Sequence, residues 1–289
     1  MNNVSPAQEI QFKHVQVTIL RLDHPSKVAI RWILQPTMLN IRNYTFIIER
    51  SENSASGFEI IGQVEGYASI EFLDYTTSLH SIFRNYYYRV TARNNLSGKV
   101  VVAPVVSWDG ELDLKCIEMV RLLDLELEIA TGTPIYAFNM MSVGARCPIC
   151  WDPATSRVMD PDCPSCKGTG IFGGYYNGIY GLANFSPSTN ITKQADWGEV
   201  QENQTDVLLN AHPVVGNKDV LIQADSNRAF VVEQRKPIVD PGTTGTLVHQ
   251  LVRVMEINRS DIENKLTIPE EVRRQATEFM AKRKEQREW

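Results

Sequence analysis

Histidine is scarce in this chain, 5 in 289 residues, and none stands in an H-x-E or HExxH pattern. The zinc deaminases and zinc proteases need that element for a metal ligand and an acid–base carboxylate, so both are set aside. GxSxG and GxxxxGK[ST] are missing too, which removes the commonest nucleophile elbow and the phosphate-cradling loop. The chain is accordingly read as not an enzyme. No stretch approaches about 18 apolar residues, the length of a membrane-crossing helix. The start, "MNNVSPAQEIQFKHVQV", has no basic-then-apolar signal region, and the expectation is assembly in a reducing compartment with no membrane partner. A basic excess is lacking as well. Net charge is −5, and acidic residues outnumber basic ones between 111 and 268, which argues against a broad grip on nucleic acid there.

Cysteine is also sparse, but four of the five fall within "RCPICWDPATSRVMDPDCPSCKGTG", residues 146–170. Cys147, Cys150, Cys163 and Cys166 form two CPxC pairs with twelve residues between them. A CxxC turn aims two thiolates at one point, and its proline fixes one backbone angle in advance. Two such turns facing each other make a zinc ribbon. The intervening segment has turn residues at Asp152-Pro153 and Asp160-Pro161-Asp162, as a short hairpin requires. Paired cysteines without a secretion signal read as metal ligands before disulfides. Four sulfurs fill a tetrahedral shell and leave no position for water, so the expected cofactor is structural Zn²⁺. "DCPSC" resembles the PCxxC element of the deaminases, but their H-x-E element is missing here. "CKGTG" resembles one zinc-binding repeat of the Hsp40 chaperones, which carry four. Lone Cys116 sits on the apolar stripe of a helix and reads as a buried structural thiol.

Strand signals are dense from residue 12 to 108. "HVQVTIL", "KVAIRWIL", "YTFIIER", "FEIIGQV", "IEFLDY", "YYYRVTARN" and "VVVAPVVSW" are short runs rich in Val, Ile, Tyr and Phe, separated by turn-prone segments. They predict an antiparallel sandwich. An apolar strand with an inward Trp32, and a later strand reading Tyr86-x-Tyr88-Arg89-Val90-x-Ala92-x-Asn94 before Gly98, resemble a fibronectin type III domain. That resemblance puts Tyr86 at the tyrosine corner. Residues 1–11 read as a flexible arm. Residues 109–133 read as a linker helix on Cys116, Ile117, Val120, Leu123 and Leu127, although "LDLELEI" also alternates like a strand. From 134 to 268, "PIYAFNMM", the aromatic "GIFGGYYNGIYGLANF", "TDVLLN", "KDVLIQA", "RAFVVEQRKPIV" and "TLVHQLVRVMEIN" give five or six strands able to close into a small barrel, carrying the zinc ribbon at 145–170. Residues 269–289 form an amphipathic helix. Its narrow stripe of Val272, Ala276, Phe279 and Met280 packs on its own domain or on a neighbouring subunit. Tyr175 and Tyr176 read as packing at a barrel mouth or interface in preference to stacking on bases. The fold class is therefore mainly β: a fibronectin III-like β-sandwich, then a small β-barrel with a four-cysteine zinc-ribbon insertion, plus two flanking α-helices.

From "GTP" at 132–134 through both CPxC pairs, "WDP" and "GTG" to "GGYYN" at 173–177, the chain resembles a recurring segment of tailed-phage virion proteins. Asp219, Arg228, Phe230 and Val232, within "KDVLIQADSNRAFVVEQRKPIV", are similar to the small barrel of phage head-closure and head–tail connector proteins. The resemblance covers about residues 130–258. It implies a structural subunit of the virion neck, assembled in the host cytoplasm as a ring of six or twelve around the DNA channel. Its partners are then the portal or adaptor, the tail-side proteins, and DNA passing without sequence-specific contact. The simplest closure proteins are a barrel alone, and the sandwich and ribbon depart from them. The alternative is a zinc-ribbon nucleic-acid-binding or regulatory module. Against it, Arg146, Arg157 and Lys167 are balanced by Asp152, Asp160 and Asp162 around the thiols.

Overall fold

The computed structural model describes residues 10–21, 27–35, 40–77, 86–107, 114–185, 191–195, 198–202, 204–239, 247–257 and 266–287. The expected N-terminal arm, apart from residues 10 and 11, and the "DPGTTG" turn lie outside the described residues. The chain divides into two compact units: Met1–Leu112 with Met141–Tyr176, and Asp113–Met140 with Asn177–Trp289.

The first unit opens with β1 (Phe12–Arg21), β2 (Lys27–Leu34), β3 (Tyr44–Ser51), β4 (Glu59–Glu65), β5 (Glu71–Asp74), β6 (Tyr87–Asn94), β7 (Val100–Val102) and β8 (Val106–Ser107). The last two are a single run in the sequence. Pro104 lies in the gap between them, where a residue without an N–H cannot continue a ladder. One sheet runs β1-β2-β5 and the other β4-β3-β6-β7, with β8 also on β6. Alternate residues Val28, Ile30 and Trp32 of β2 are buried, as are Phe46 and Ile48 of β3 and Tyr88, Val90 and Ala92 of β6. The rings of Trp32 and Phe46 lie 5.0 Å apart, so the two sheets share one core.

Tyr88 is the fully buried tyrosine, and its hydroxyl donates to Asp74 Oδ2 at 3.1 Å. Burial, then the Asp74 carboxylate, holds its phenol far above the usual range. Asp74 also accepts from Arg50 at 2.7 Å, and that guanidinium lies 4.8 Å from the Tyr86 ring. Tyr86 precedes the strand and is half-buried.

Glu49 on β3 accepts two hydrogen bonds from Arg89, each 2.8 Å, and one from Thr91 at 3.0 Å. The Arg89 bond outweighs burial and holds the Glu49 carboxyl below its usual range. A lowered folded pKa gives stability that is present above the ordinary glutamate value and lost as pH falls through the folded one. Glu49→Gln is expected to cost about 1–2 kcal/mol at neutral pH and to flatten the acid limb of the first unit's denaturation curve below about pH 4.5. Urea melts from about pH 3 to about pH 7 would show an unchanged acid limb if the pair contributed nothing.

After the first sheets the chain enters the second unit with helix α1 (Leu114–Glu126), continued as a π-helical turn over Leu127–Thr131, then β9 (Thr133–Phe138). The helical reading of "LDLELEI" therefore holds. Residues 141–176 return to the first unit and carry β10 (Trp151–Asp152) and β11 (Arg157–Val158). The second unit resumes with β12 (Ile179–Phe185), β13 (Ile191–Ala195), β14 (Gly198–Glu202), β15 (Gln204–Asn210), β16 (Val220–Gln223), β17 (Ala229–Val239), β18 (Leu247–Glu256) and α2 (Glu270–Arg287).

Six of these strands close a barrel in the order β12-β15-β18-β17-β16-β9. Its interior is filled by alternating residues: Ile135 and Ala137, Val207 and Leu209, Phe230 and Val232, Val252 and Val254, with Ala183, Leu221 and Val215. Strands β13 and β14 pair with each other as a two-stranded sheet, from Ile191↔Glu202 to Ala195↔Gly198. The residues themselves predict no strand here. On α2, Ala276 is fully buried, and Val272, Phe279 and Met280 are half-buried within the single chain. Arg283 donates to the Gly132 carbonyl, and Arg273 donates to Asn227 at 3.2 Å. Both bonds tie the helix to groups of its own unit. Among the described residues, no helix is long and apolar enough to cross a membrane.

Candidate metal centre

Each CPxC pair folds as one tight turn. The Cys147 carbonyl accepts from Trp151 N at 3.2 Å, and the Cys163 carbonyl accepts from Lys167 N at 2.8 Å. The same i to i+4 closure in both turns presents each pair of thiols on one side. Between the turns, β10 and β11 pair antiparallel, Trp151 with Val158 and Asp152 with Arg157. Asp152 holds the hairpin tip by accepting from Ala154 N at 2.9 Å and Thr155 Oγ1 at 2.7 Å. Met159 N donates to the Cys150 carbonyl at 2.8 Å and returns the hairpin to the first turn.

The four sulfurs lie within 4.8 Å of one another. Cys147 and Cys163 are 3.7 Å apart, and Cys150 and Cys166 are 3.2 Å apart. A zinc ion bound at about 2.3 Å by four tetrahedral thiolates separates them by about 3.8 Å, so the donor set fits in number, chemistry and size. The thiols are free, not disulfides. All four cysteines are at most 3% exposed, with Trp151 and Val158 packed against them. Such a site is closed on all sides.

Burial raises the Cys147 thiol, but N–H groups of Ile149 and Cys150 and the neighbouring thiols outweigh it and bring it down to about 7. Burial pushes the thiols of Cys150 and Cys166 up. Four buried thiolates cannot share this space unless a cation offsets their charge. An ion held here supplies that charge, and Cys147, Cys150, Cys163 and Cys166 supply its complete shell.

The ribbon is tied down by backbone and by packing. Cys147 N donates to the Gly170 carbonyl and Phe172 N to the Ala145 carbonyl, both at 2.9 Å, with a bridge between Arg146 and Ile171. Met141, Ile171 and Tyr176 form a buried cluster against Ile70, which lies just before β5. The Arg42 guanidinium is 4.6 Å from the Phe172 ring and 5.7 Å from that of Tyr67. The Arg146 guanidinium lies 4.0 Å from the Trp151 ring.

These contacts correct the expected domain division. The thiol segment lies between barrel strands in sequence, but residues 141–176 pack with the sheets of residues 1–112. Tyr175 and Tyr176 belong to that unit and are buried, at 8% and 4% exposure. Cys116 lies in α1, and its side chain is outside the described residues. Sequence reasoning finds all four cysteines of the cluster. It misses Trp151 and Val158 as the cover of the sulfurs, although Trp151 directly follows a ligand.

Gly168 has φ +74°, and a Cβ there meets the Pro161 carbonyl oxygen at 2.6 Å. That oxygen belongs to the backbone just before Cys163 and cannot move without moving the ligand. Gly168→Ala is expected to cost about 2 kcal/mol or more. In a chelator competition the variant should give up metal at least about tenfold more readily. An unchanged competition curve would show that the turn does not govern the site.

No protein-family model matches the chain, and no curated protein matches it.

Proposed function

We propose that the chain is a structural subunit of a tailed-phage neck or head–tail connector. It forms a ring around the DNA channel and joins portal or head to tail in the virion. The observation that carries this reading is the closure of the metal centre. Four buried sulfurs complete a tetrahedral shell, so the ion has shape to maintain and no position at which to activate water. The barrel supports the same reading, because its interior is occupied by apolar side chains. The first unit, with β1-β2-β5 facing β4-β3-β6-β7 and an inward Trp32, is read as fibronectin type III-like. It serves as a brace or contact module beside the ring. Zinc holds the loop-rich ribbon, whose own core is too small to do so.

Native mass spectrometry of the intact chain, with zinc quantified, tests the proposal. Rings of six or twelve with one zinc per chain are expected. A monomer that instead shifts DNA in a gel, with steep salt dependence, would favour a nucleic-acid-binding module.

A further inference from the structure

We infer that the same four thiols close the ribbon in a second way, without metal, as two disulfides that cross between the turns: Cys147 with Cys163, and Cys150 with Cys166. The inference rests on reading these thiols as a metal clasp. The cross-turn sulfurs lie 3.7 and 3.2 Å apart, and a disulfide needs about 2.05 Å, so each bridge closes by a shift of less than about 2 Å. Both bridges join the first turn to the second, sixteen residues on, which is the constraint the ion imposes. The bridged ribbon keeps the same backbone frame, in which Cys147 N to Gly170 O and Phe172 N to Ala145 O join the first turn to the residues after the second, and Gly173 N to Ser165 O ties those residues to the second turn. The product keeps all four sulfurs inside the cover of Trp151 and Val158 and removes their charge, so the buried site no longer needs a cation.

The oxidant is a peroxide. For each bridge, one thiolate attacks hydrogen peroxide and becomes a sulfenic acid, releasing hydroxide. The partner thiolate then attacks that sulfur and displaces a second hydroxide. Two thiolates lose two electrons, the peroxide O–O bond takes them up, and two protons convert the hydroxides to water. Over both bridges two peroxides are consumed and the ion leaves as Zn²⁺. With zinc bound, the sulfurs are shielded by burial, so oxidation follows loss of the ion. Met159, 69% exposed beside the site, should form its sulfoxide under the same treatment and so reports that peroxide was delivered.

The experiment uses the full chain in three samples: as purified, with chelator and reductant, and with chelator followed by hydrogen peroxide. Each is read by amide exchange over 141–176 and by non-reducing peptide mapping. The chelated, reduced sample should lose protection, which tests the metal reading itself. The chelated, oxidised sample should regain it and yield Cys147–Cys163 and Cys150–Cys166 peptides. Bridges within a turn, Cys147–Cys150 or Cys163–Cys166, overturn the inference and leave the metal reading standing. So do sulfinic or sulfonic acids without bridges, or thiols left unmodified while Met159 is oxidised. Two paired variants refine the test. Cys147→Ser with Cys163→Ser should still form one bridge, and Cys147→Ser with Cys166→Ser should form at least about tenfold less. Equal yields from the two variants also overturn it.

Discussion

Cys163→Ala, or chelation under reducing conditions, is expected to unfold residues 141–176 while the barrel stays folded. The four cysteines are the core of the ribbon itself, and among the described residues Trp151 and Val158 are the partly buried hydrophobics packed against them. Hydrophobic burial on that scale does not hold about thirty residues in place. Structural zinc sites in small modules supply about 10–16 kcal/mol of apparent binding free energy, and here that energy is folding energy. Removing one ligand leaves three thiolates and an open position, so zinc should fall from one per chain to well below one at micromolar chelator. Amide exchange should show the difference most sharply at Cys147 and Met159, whose N–H groups donate to Gly170 and Cys150 across the ribbon. The packing makes a second part of the expectation. Because Met141, Ile171 and Tyr176 lie against Ile70, loss of the ribbon should also expose the ground before β5 and lower the melting point of the first unit. The second unit, with its own filled barrel, should melt as before. A metal-free, reduced chain that keeps full protection over 141–176 would remove the basis of the scaffold reading.

What can be read from the residues follows the range over which each signal acts. The strands of the first unit are legible because each is a short β-branched or aromatic run between turn residues, a local property. The ribbon is legible because four ligands, two prolines and the Asp-Pro turns all lie within residues 146–170. The hairpin β13–β14 is not, since Thr192, Lys193, Gln194, Glu199 and Gln201 carry little of the enrichment that marks a strand. The seat of the ribbon is not legible either. It depends on Arg42, Tyr67 and Ile70, far from Ile171 and Phe172 in the chain, and no periodicity connects them. Tyr86 and Tyr88 share one face by parity, and only depth along the strand separates the half-buried residue from the buried one.

Gln250 shows the same limit and gives the other large effect. In β18, Val248, Gln250, Val252 and Val254 alternate inward, and a polar residue in that row looks like an error of patterning. The side chain is instead fully buried and fully used. Its amide nitrogen donates to the carbonyls of Asn210 and Pro213 at 2.8 and 2.9 Å, and its oxygen accepts from Val215 N at 3.1 Å. Asn210 is the last residue of β15, and Pro213 and Val215 lie where the chain has left it on the way to β16. Gln250→Leu fills the same space but strands two carbonyls and one N–H in the interior. At about 1–3 kcal/mol for each group, the cost should reach about 3–9 kcal/mol, much of what a domain of this size has. Gln250→Glu should be at least as damaging at neutral pH, because a carboxylate then faces two carbonyl oxygens. That variant should recover some stability as pH falls, since the protonated acid regains one donor, whereas the Leu variant should not. Urea denaturation of the second unit at about pH 5 and about pH 7 separates the two. A Leu variant within about 1 kcal/mol of wild type would mean that water, not Gln250, satisfies the chain between β15 and β16.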